Sequence, residues 1–135
     1  MEVLFLVSRV LLALVFVLPG IQVHLLQRAP TLQLARRSRV PVPELLVPLA
    51  GVVMVTGGAM VILGLWADLG ALLLAAFSLA AAPVHAFWKE KDQLARQIQL
   101  GNFAKNLGLA AGALIVFYAY QEFPEAAFSL TGPLL

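Results

Sequence analysis

Apolar residues fill most of this chain in long runs that two short polar stretches interrupt. From Leu45 to Trp88 the chain has 44 residues and a single charged side chain, Asp68. As one helix this run would be about 66 Å long at ~1.5 Å per residue, which is roughly twice the ~30 Å hydrocarbon layer of a bilayer. Two spans joined at Trp66-Ala67-Asp68 fit that length, so the run predicts an antiparallel pair of membrane helices.

The remaining apolar runs raise the expected number of membrane spans to four. The predicted spans cover about residues 3–26, 44–65, 69–88 and 100–120. The expected fold is therefore an all-α polytopic membrane protein, a four-helix transmembrane bundle in one domain, residues 1–135. Residues 27–43 and 89–99 are the predicted polar loops, and the tail, residues 121–135, is too short for a fifth span. Pro19-Gly20 predicts a kink in the first span, and Thr31 is expected to cap a short helix in the first loop.

Composition supports the membrane assignment and excludes several kinds of chemistry. The chain is 61% hydrophobic and 12% charged, with a mean hydropathy of +0.93, whereas soluble domains carry about 25% charged residues. It has no cysteine, which excludes structural disulfides, thiolate nucleophiles and cysteine-held iron–sulfur clusters within it. With only two histidines, no metal site is expected. Glu2 stands where a secretory signal has basic residues, so the first run is expected to be an uncleaved span.

The positive charges predict the orientation in the membrane. Eight of the nine Lys and Arg residues lie in the two polar loops or at Lys105. Short basic loops stay on the cytoplasmic side, so both loops are expected to be cytoplasmic and both termini outside. The opposite ends of the spans carry acidic residues, namely Glu2, Asp68, Glu122 and Glu125. Because the basic residues follow this topology, the net charge of +2 predicts no nucleic-acid partner.

Polar side chains that are energetically unfavourable in lipid cluster at the expected cytoplasmic end of the spans. They are His24, Glu44, His85, Trp88, Asn102, Lys105 and Asn106. One interpretation is a polar pocket for a quinone headgroup, an anion or a relayed proton, since ionisable residues within a membrane are functional candidates and histidine changes protonation near neutral pH. The other is a set of hydrogen bonds between helices, with Lys105 reaching water.

Helix geometry predicts which of these side chains point into the bundle. Asn102, Lys105 and Asn106 fall on one side of the fourth span, beside a GxxxG pair, Gly108 and Gly112. The third span has a face of small residues that also carries His85, and that face is expected to be buried. Its residues are Ala71, Ala75, Ser78, Ala82 and His85.

Two further interpretations concern the two histidines and Arg9. His24 and His85 are the only histidines and lie on different spans, an arrangement that can ligate a b-type haem. Helix-terminal histidines are common without haem, so this is the less favoured interpretation. Arg9 lies toward the outer end of the first span. It is either an ionisable functional candidate within the span, on the face that carries Phe16 and Gly20, or, if the span starts at Val10, an interfacial anchor paired with Glu2; the anchor is the favoured interpretation.

Several motifs resemble the DoxX family of small bacterial membrane proteins. They are His85-Ala-Phe-Trp88, Asn102-Phe-Ala-Lys105-Asn106 continuing to Gly112, Arg9 with Phe16 and Gly20, and Pro41-Val-Pro43 followed by Gly57-Gly58 and Leu63-Gly64. The resemblance implies a four-helix protein of the bacterial inner membrane. It also implies links to thiosulfate:quinone oxidoreduction or to membrane-associated oxidative-stress defence with partner proteins. The family often has a glutamate in the second span where this chain has Met54.

Three functional hypotheses follow. The favoured one is a membrane subunit of a redox module that binds quinone near His85, Asn102, Lys105 and Asn106 and receives electrons from a partner; whether the chain is itself an enzyme stays undecided. A second is a small transporter or channel assembled from several copies. A third is a scaffold for a partner enzyme, docked on anionic lipid through Arg36-Arg37-x-Arg39. All three place the chain in a lipid bilayer, as a homo-oligomer or a subunit of a membrane complex.

Overall fold

The structure is a computed structural model that describes residues 1–124 and 128–135. Within these ranges the chain is helical and has no strand. The α-helices are α1 (Glu2–Pro19), α2 (Ala29–Arg37), α3 (Pro43–Leu63), α4 (Ala67–Ala81) and α5 (Gln93–Glu122). A π-helical segment (Gly20–Leu26) extends α1, and two 3-10 turns (Ala82–Val84 and Phe87–Lys89) follow α4. Glu125, which was expected at the outer end, lies outside the described residues.

In the described chain, four helical stretches are long and apolar enough to cross a membrane. They are Glu2–Leu26, Pro43–Leu63, Ala67–Lys89 and Gln93–Glu122. The all-α class and the predicted number of spans are therefore confirmed. The outer surface of these stretches carries large exposed apolar side chains, among them Leu11, Leu49, Leu79 and Ile115. Such a surface suits hydrocarbon, where helices satisfy their own backbone hydrogen bonds.

The four spans pack in chain order around a small core. α1 and its π segment pack against α3, α3 against α4, and α4 against α5, whereas α1 and α5 meet only over a short stretch. Phe16, Val61, Leu74 and Tyr120 fill the core. We call the bundle end that carries α2 and residues 82–92 the basic end. The opposite end, with Met1, the α3–α4 turn at residues 64–66 and the C-terminus, is the terminal end.

Glycines allow the close helix contacts on α3. A Cβ on Gly58 would lie 2.4 Å from Val17 Cγ2, and one on Gly51 would lie 2.8 Å from His24 Cβ. These positions act as packing sites, as small residues do between membrane helices. The GxxxG pair on α5 behaves differently. A Cβ on Gly112 would lie 3.2 Å from Leu12 of α1, but one on Gly108 would have no neighbour within 4 Å, so Gly108 is not a contact within the monomer.

The expected irregularity in the first span occurs where proline predicts it. α1 ends at Pro19, and the chain continues as the π-helical segment from Gly20. The helix in the first loop also exists, as α2, but Thr31 does not cap it. Its hydroxyl instead donates to the Val23 carbonyl oxygen at 2.7 Å, which ties α2 back to the π segment.

The connection between the third and fourth spans, residues 82–92, lies earlier in the chain than the predicted loop at residues 89–99. α4 ends at Ala81, because Pro83 cannot donate the next helical hydrogen bond. α5 begins at Gln93, where the Asp92 carboxylate accepts the Ala95 N–H at 2.8 Å as an N-terminal cap. Residues 93–99, predicted as loop, are therefore the first turns of α5. The polarity of this segment reflects its exit from the apolar layer rather than a break in the helix.

Candidate functional site

His85 has a defined ring orientation at the basic end. Its Nδ1 lies 2.8 Å from the Gln99 side-chain oxygen, which accepts the Nδ1 hydrogen. This leaves the lone pair of Nε2 available, and no other hydrogen bond to the ring occurs among the described residues. Pro83 ends α4 just before His85, and the early start of α5 brings Gln99 opposite it. The His85 side chain is half-buried, so an external hydrogen-bond donor can reach it.

Three aromatic rings form a cluster at the basic end, two of them in the turn that carries His85 and one on α5. Phe87, Trp88 and Phe103 have ring centroids 5.1, 5.5 and 6.0 Å apart and meet edge to face. Trp88 remains 53% exposed. The cluster presents an apolar aromatic surface at the same end as the His85 imidazole, and planar, partly polar ligands use aromatic surfaces together with a few polar groups. Neither Phe103 in this cluster nor Gln99 beside His85 was predicted from the sequence as a site residue.

The polar residues on α5 interact mainly with their own helix. Lys105 Nζ lies 3.5 Å from Asn102 Oδ1, and Asn106 Nδ2 donates to the Asn102 carbonyl oxygen at 3.1 Å. Asn106 is buried, as its expected inward direction requires, but the Lys105 side chain is exposed. Within the described residues, none of the three hydrogen-bonds to His85. They lie farther along α5 than Gln99.

The other two polar residues expected here have separate partners. His24 Nδ1 lies 3.2 Å from the Pro19 carbonyl oxygen, and its ring packs edge-on against Phe77 at 6.0 Å. Glu44 accepts from Arg36 at 2.6 Å in an exposed ion pair. His24 and His85 thus have different environments, and a haem shared between them stays a prediction for absorbance spectroscopy.

Contacts of α2 with the rest of the protein hold the basic end together. Arg37 pairs with Glu90 at 2.7 Å, and the Ser38 hydroxyl donates to the Val84 carbonyl oxygen at 2.7 Å. These bonds join the first polar loop to the turn that carries His85. Further cations at this end have no ion pair or side-chain hydrogen bond among the described residues, and we call them the unpaired cations: Arg28, Arg39, Lys89, Lys91 and Arg96.

The terminal end contains a buried arginine that sequence analysis misjudged. Arg9 is fully buried, so the prediction of an interfacial anchor paired with Glu2 is wrong. Its guanidinium donates to the Phe128 carbonyl oxygen at 2.8 Å and to the Ser129 hydroxyl at 3.3 Å, and lies 5.7 Å from the Tyr120 ring centroid. Arg9 is buried because the C-terminal tail, which is distant in sequence, folds back over α1.

The same tail also covers a buried carboxylate. Asp68, in the first turn of α4, is fully buried, and its Oδ2 accepts the backbone N–H groups of Leu134 and Leu135, each at 2.8 Å. The tail bonds further to the Gly64 carbonyl oxygen in the α3–α4 turn. Residues 128–135 therefore close the terminal end around two buried charges of opposite sign.

Comparison with known families agrees with this architecture. A family model described as DoxX matches residues 4–87 of the chain. The chain belongs to the DoxX family. No curated protein and no solved structure matches the chain. The DoxX match includes Arg9, His24 and His85 but ends before α5, so it does not extend to Asn102, Lys105 and Asn106.

The structure gives the DoxX-like positions of α1 a physical meaning. Arg9, Phe16 and Gly20 are all buried on the same side of the first span. A Cβ on Gly20 would lie 3.0 Å from Met54 Cβ, which fixes the register between α1 and α3. Met54 is therefore level with Gly20, about three helical turns along α1 from Arg9. The methionine does not occupy the place of an Arg9 partner; the tail supplies those partners instead.

Proposed function

We propose that this DoxX protein is the membrane subunit of a redox module and holds a quinone or quinol headgroup at its basic end. The observation that carries the proposal is the His85 ring, held by Gln99, at the same end of the bundle as the Phe87–Trp88–Phe103 cluster, two of whose members follow His85 in the same turn. A headgroup needs an aromatic surface to pack against and a hydrogen-bond partner for its oxygen atoms. Its isoprenoid tail would remain in the lipid along the apolar outer surface of the bundle.

The chemistry of His85 fits proton exchange with such a ligand. Oxidation of a quinol releases two electrons and two protons as the two O–H bonds break and two C=O bonds form. The free lone pair of Nε2 can accept one of these protons, while the Nδ1–Gln99 bond holds the ring in place. In the reverse direction the imidazolium returns the proton. Asn102 and Lys105 lie on the adjacent helix as candidate contacts for the second oxygen.

The electrons must pass to or from a partner protein. The chain has no cysteine and so cannot carry out thiol chemistry on a sulfur compound alone. The unpaired cations at the basic end offer a docking surface for an acidic partner. In this proposal the basic end faces the cytoplasm of a bacterium, following the charge bias of the loops. The partner would oxidise a reduced sulfur compound or consume an oxidant.

Tryptophan fluorescence offers a direct test of quinone binding. The chain has two tryptophans, so Trp66→Phe leaves Trp88 as the only reporter, within the proposed site. We expect decylubiquinone to quench Trp88 in nanodiscs, and His85→Ala to weaken the apparent affinity about tenfold, because one hydrogen bond to an ionisable group is lost. Gln99→Leu should weaken it less, since it frees the ring without removing it.

The second histidine provides the matched control. His24→Ala removes an imidazole of the same size at the same end, but one that contacts Pro19 and Phe77 instead. Its quinone affinity should equal that of the Trp66→Phe parent. Equal affinities in His85→Ala and the parent, or equal losses in both histidine variants, would rule out the proposed site.

A membrane scaffold for a partner enzyme is the second candidate, and the same unpaired cations favour it. Removing two of them, in Arg39→Gln/Lys91→Gln, should then abolish recovery of one constant partner from solubilised membranes while leaving quinone binding intact. The transporter hypothesis requires flux of a solute into liposomes without a redox partner.

A further inference from the structure

Arg9 is a buried cation whose hydrogen-bonding capacity is only partly used. Two neutral oxygen atoms, from Phe128 and Ser129, accept from its terminal nitrogens, and its Nε has no hydrogen-bond partner. No ion pair to Arg9 occurs among the described residues. A buried charge normally has both a counter-charge and a full set of hydrogen bonds, because removal from water costs several kcal/mol. Among the described residues, Arg9 Nε therefore has no acceptor and the guanidinium has no counter-charge.

An apolar groove lies directly beside this arginine. It runs between α1 and α5 at the terminal end, has a volume of about 450 Å³, and is lined on α1 by Leu4, Phe5, Ser8 and Leu12. The groove is open along one side rather than enclosed. On α5 the groove is lined by Gly112, and the Leu12 side chain lies 3.2 Å from the position that a Gly112 Cβ would take. In a bilayer the groove opens sideways to the acyl chains.

A single aromatic contact separates the groove from the guanidinium. Phe5, which lines the groove, packs against the Tyr120 ring with centroids 5.9 Å apart. Arg9 lies over the same Tyr120 ring at 5.7 Å. Phe5 and Leu12 are also the helical neighbours of Arg9 at i−4 and i+3. The Phe5 and Tyr120 rings therefore separate the apolar groove from the buried positive charge, and a ligand in the groove reaches Arg9 only if Phe5 turns aside.

We infer that this end of the protein binds a single-chain lipid with a carboxylate headgroup. The hydrocarbon chain occupies the groove between α1 and α5, and the carboxylate accepts from Arg9 Nε and neutralises its charge. The tail contact through the Phe128 carbonyl oxygen is kept, because it uses a different nitrogen. This site is at the opposite end from His85 and is independent of the quinone-linked function.

Two lipids that differ only in the headgroup test the inference. We would measure the binding of radiolabelled oleate and oleyl alcohol to the delipidated protein in detergent. Oleate should bind about tenfold more tightly, as expected for one charge-assisted hydrogen bond. Arg9→Gln should remove this preference and leave alcohol binding unchanged. Equal affinities for the two lipids in the wild-type protein, or a preference that survives in Arg9→Gln, would overturn the inference.

A pair of glycine variants tests the groove without touching the charge. Gly112→Leu places a larger side chain in the groove and should weaken the binding of both lipids about fivefold or more. Gly108→Leu makes the same change one helical turn away, where nothing lies within 4 Å, and should leave both affinities unchanged. The two leucine variants, together with the comparison of oleate and oleyl alcohol in the wild-type protein, test the inference even if Arg9→Gln does not fold. Equal behaviour of the two leucine variants would contradict the placement of the chain.

Discussion

Helices α3 and α4 approach closely where Gly57 and Gly70 face each other, and one added methyl group tests this contact. A Cβ on Gly70 would lie 2.8 Å from the Gly57 carbonyl oxygen and 2.8 Å from Met60 Cβ, distances that real Cβ atoms essentially never show. Gly70→Ala must therefore push the two helices apart. Overpacking of this kind costs about 1–3 kcal/mol, while the better helix propensity of alanine returns up to about 1 kcal/mol.

Gly108→Ala separates the cost of overpacking from the gain in helix propensity. Gly108 is also a helix-interior glycine, but nothing lies within 4 Å of its Cβ position. It gains the propensity term without the clash, so Gly70→Ala should be less stable than Gly108→Ala by about 1–3 kcal/mol. The free energy of unfolding can be measured by SDS titration in mixed micelles, with circular dichroism as the readout. Equal stability of the two variants would refute the close packing of α3 and α4.

Three smaller changes follow from contacts at the two ends. Asp68→Asn should lower the free energy of unfolding by about 1–3 kcal/mol, because it removes the charge to which two backbone N–H groups donate. Asp92→Asn is the control: asparagine is also a good N-terminal cap, so this change should lower the free energy of unfolding by only a few tenths of a kcal/mol. Arg36→Gln breaks an ion pair whose side chains are 60% and 59% exposed and should cost at most about 1 kcal/mol. Phe103→Leu should shift Trp88 emission to longer wavelength in the Trp66→Phe background, as the aromatic cluster loosens.

The number and arrangement of the spans could be predicted because bilayer thickness fixes how long an apolar helix must be. The run from Leu45 to Trp88 had to turn once, and it does so at residues 64–66. Helix ends were predicted less well, since polarity marks where a chain leaves lipid and not where its hydrogen bonding stops. Asp92 caps α5 well before the apolar run begins, and Pro83 ends α4 while the sequence is still apolar.

Some polar sites could be predicted from helical spacing, whereas others depend on contacts between residues that are distant in sequence. The buried face of small residues on α4 could be predicted from helical spacing, and Ala71, Ala75 and Ser78 are buried as expected. Gln99 was missed as the partner of His85 because it lay in a predicted loop. The burial of Arg9 depends on residues 128 and 129, which are more than a hundred positions away, and no periodicity in α1 signals that contact.

Single-cysteine labelling tests the central claim, a four-span bundle with His85 and α2 at the same end. The chain has no cysteine, so Gln33→Cys, Lys91→Cys and Gly132→Cys each give a unique, exposed thiol. Sealed membrane vesicles would be treated with a maleimide that cannot cross the bilayer. We expect positions 33 and 91 to react from one face, the cytoplasmic one, and position 132 to react from the other. Reaction of 33 and 91 from opposite faces would contradict the account.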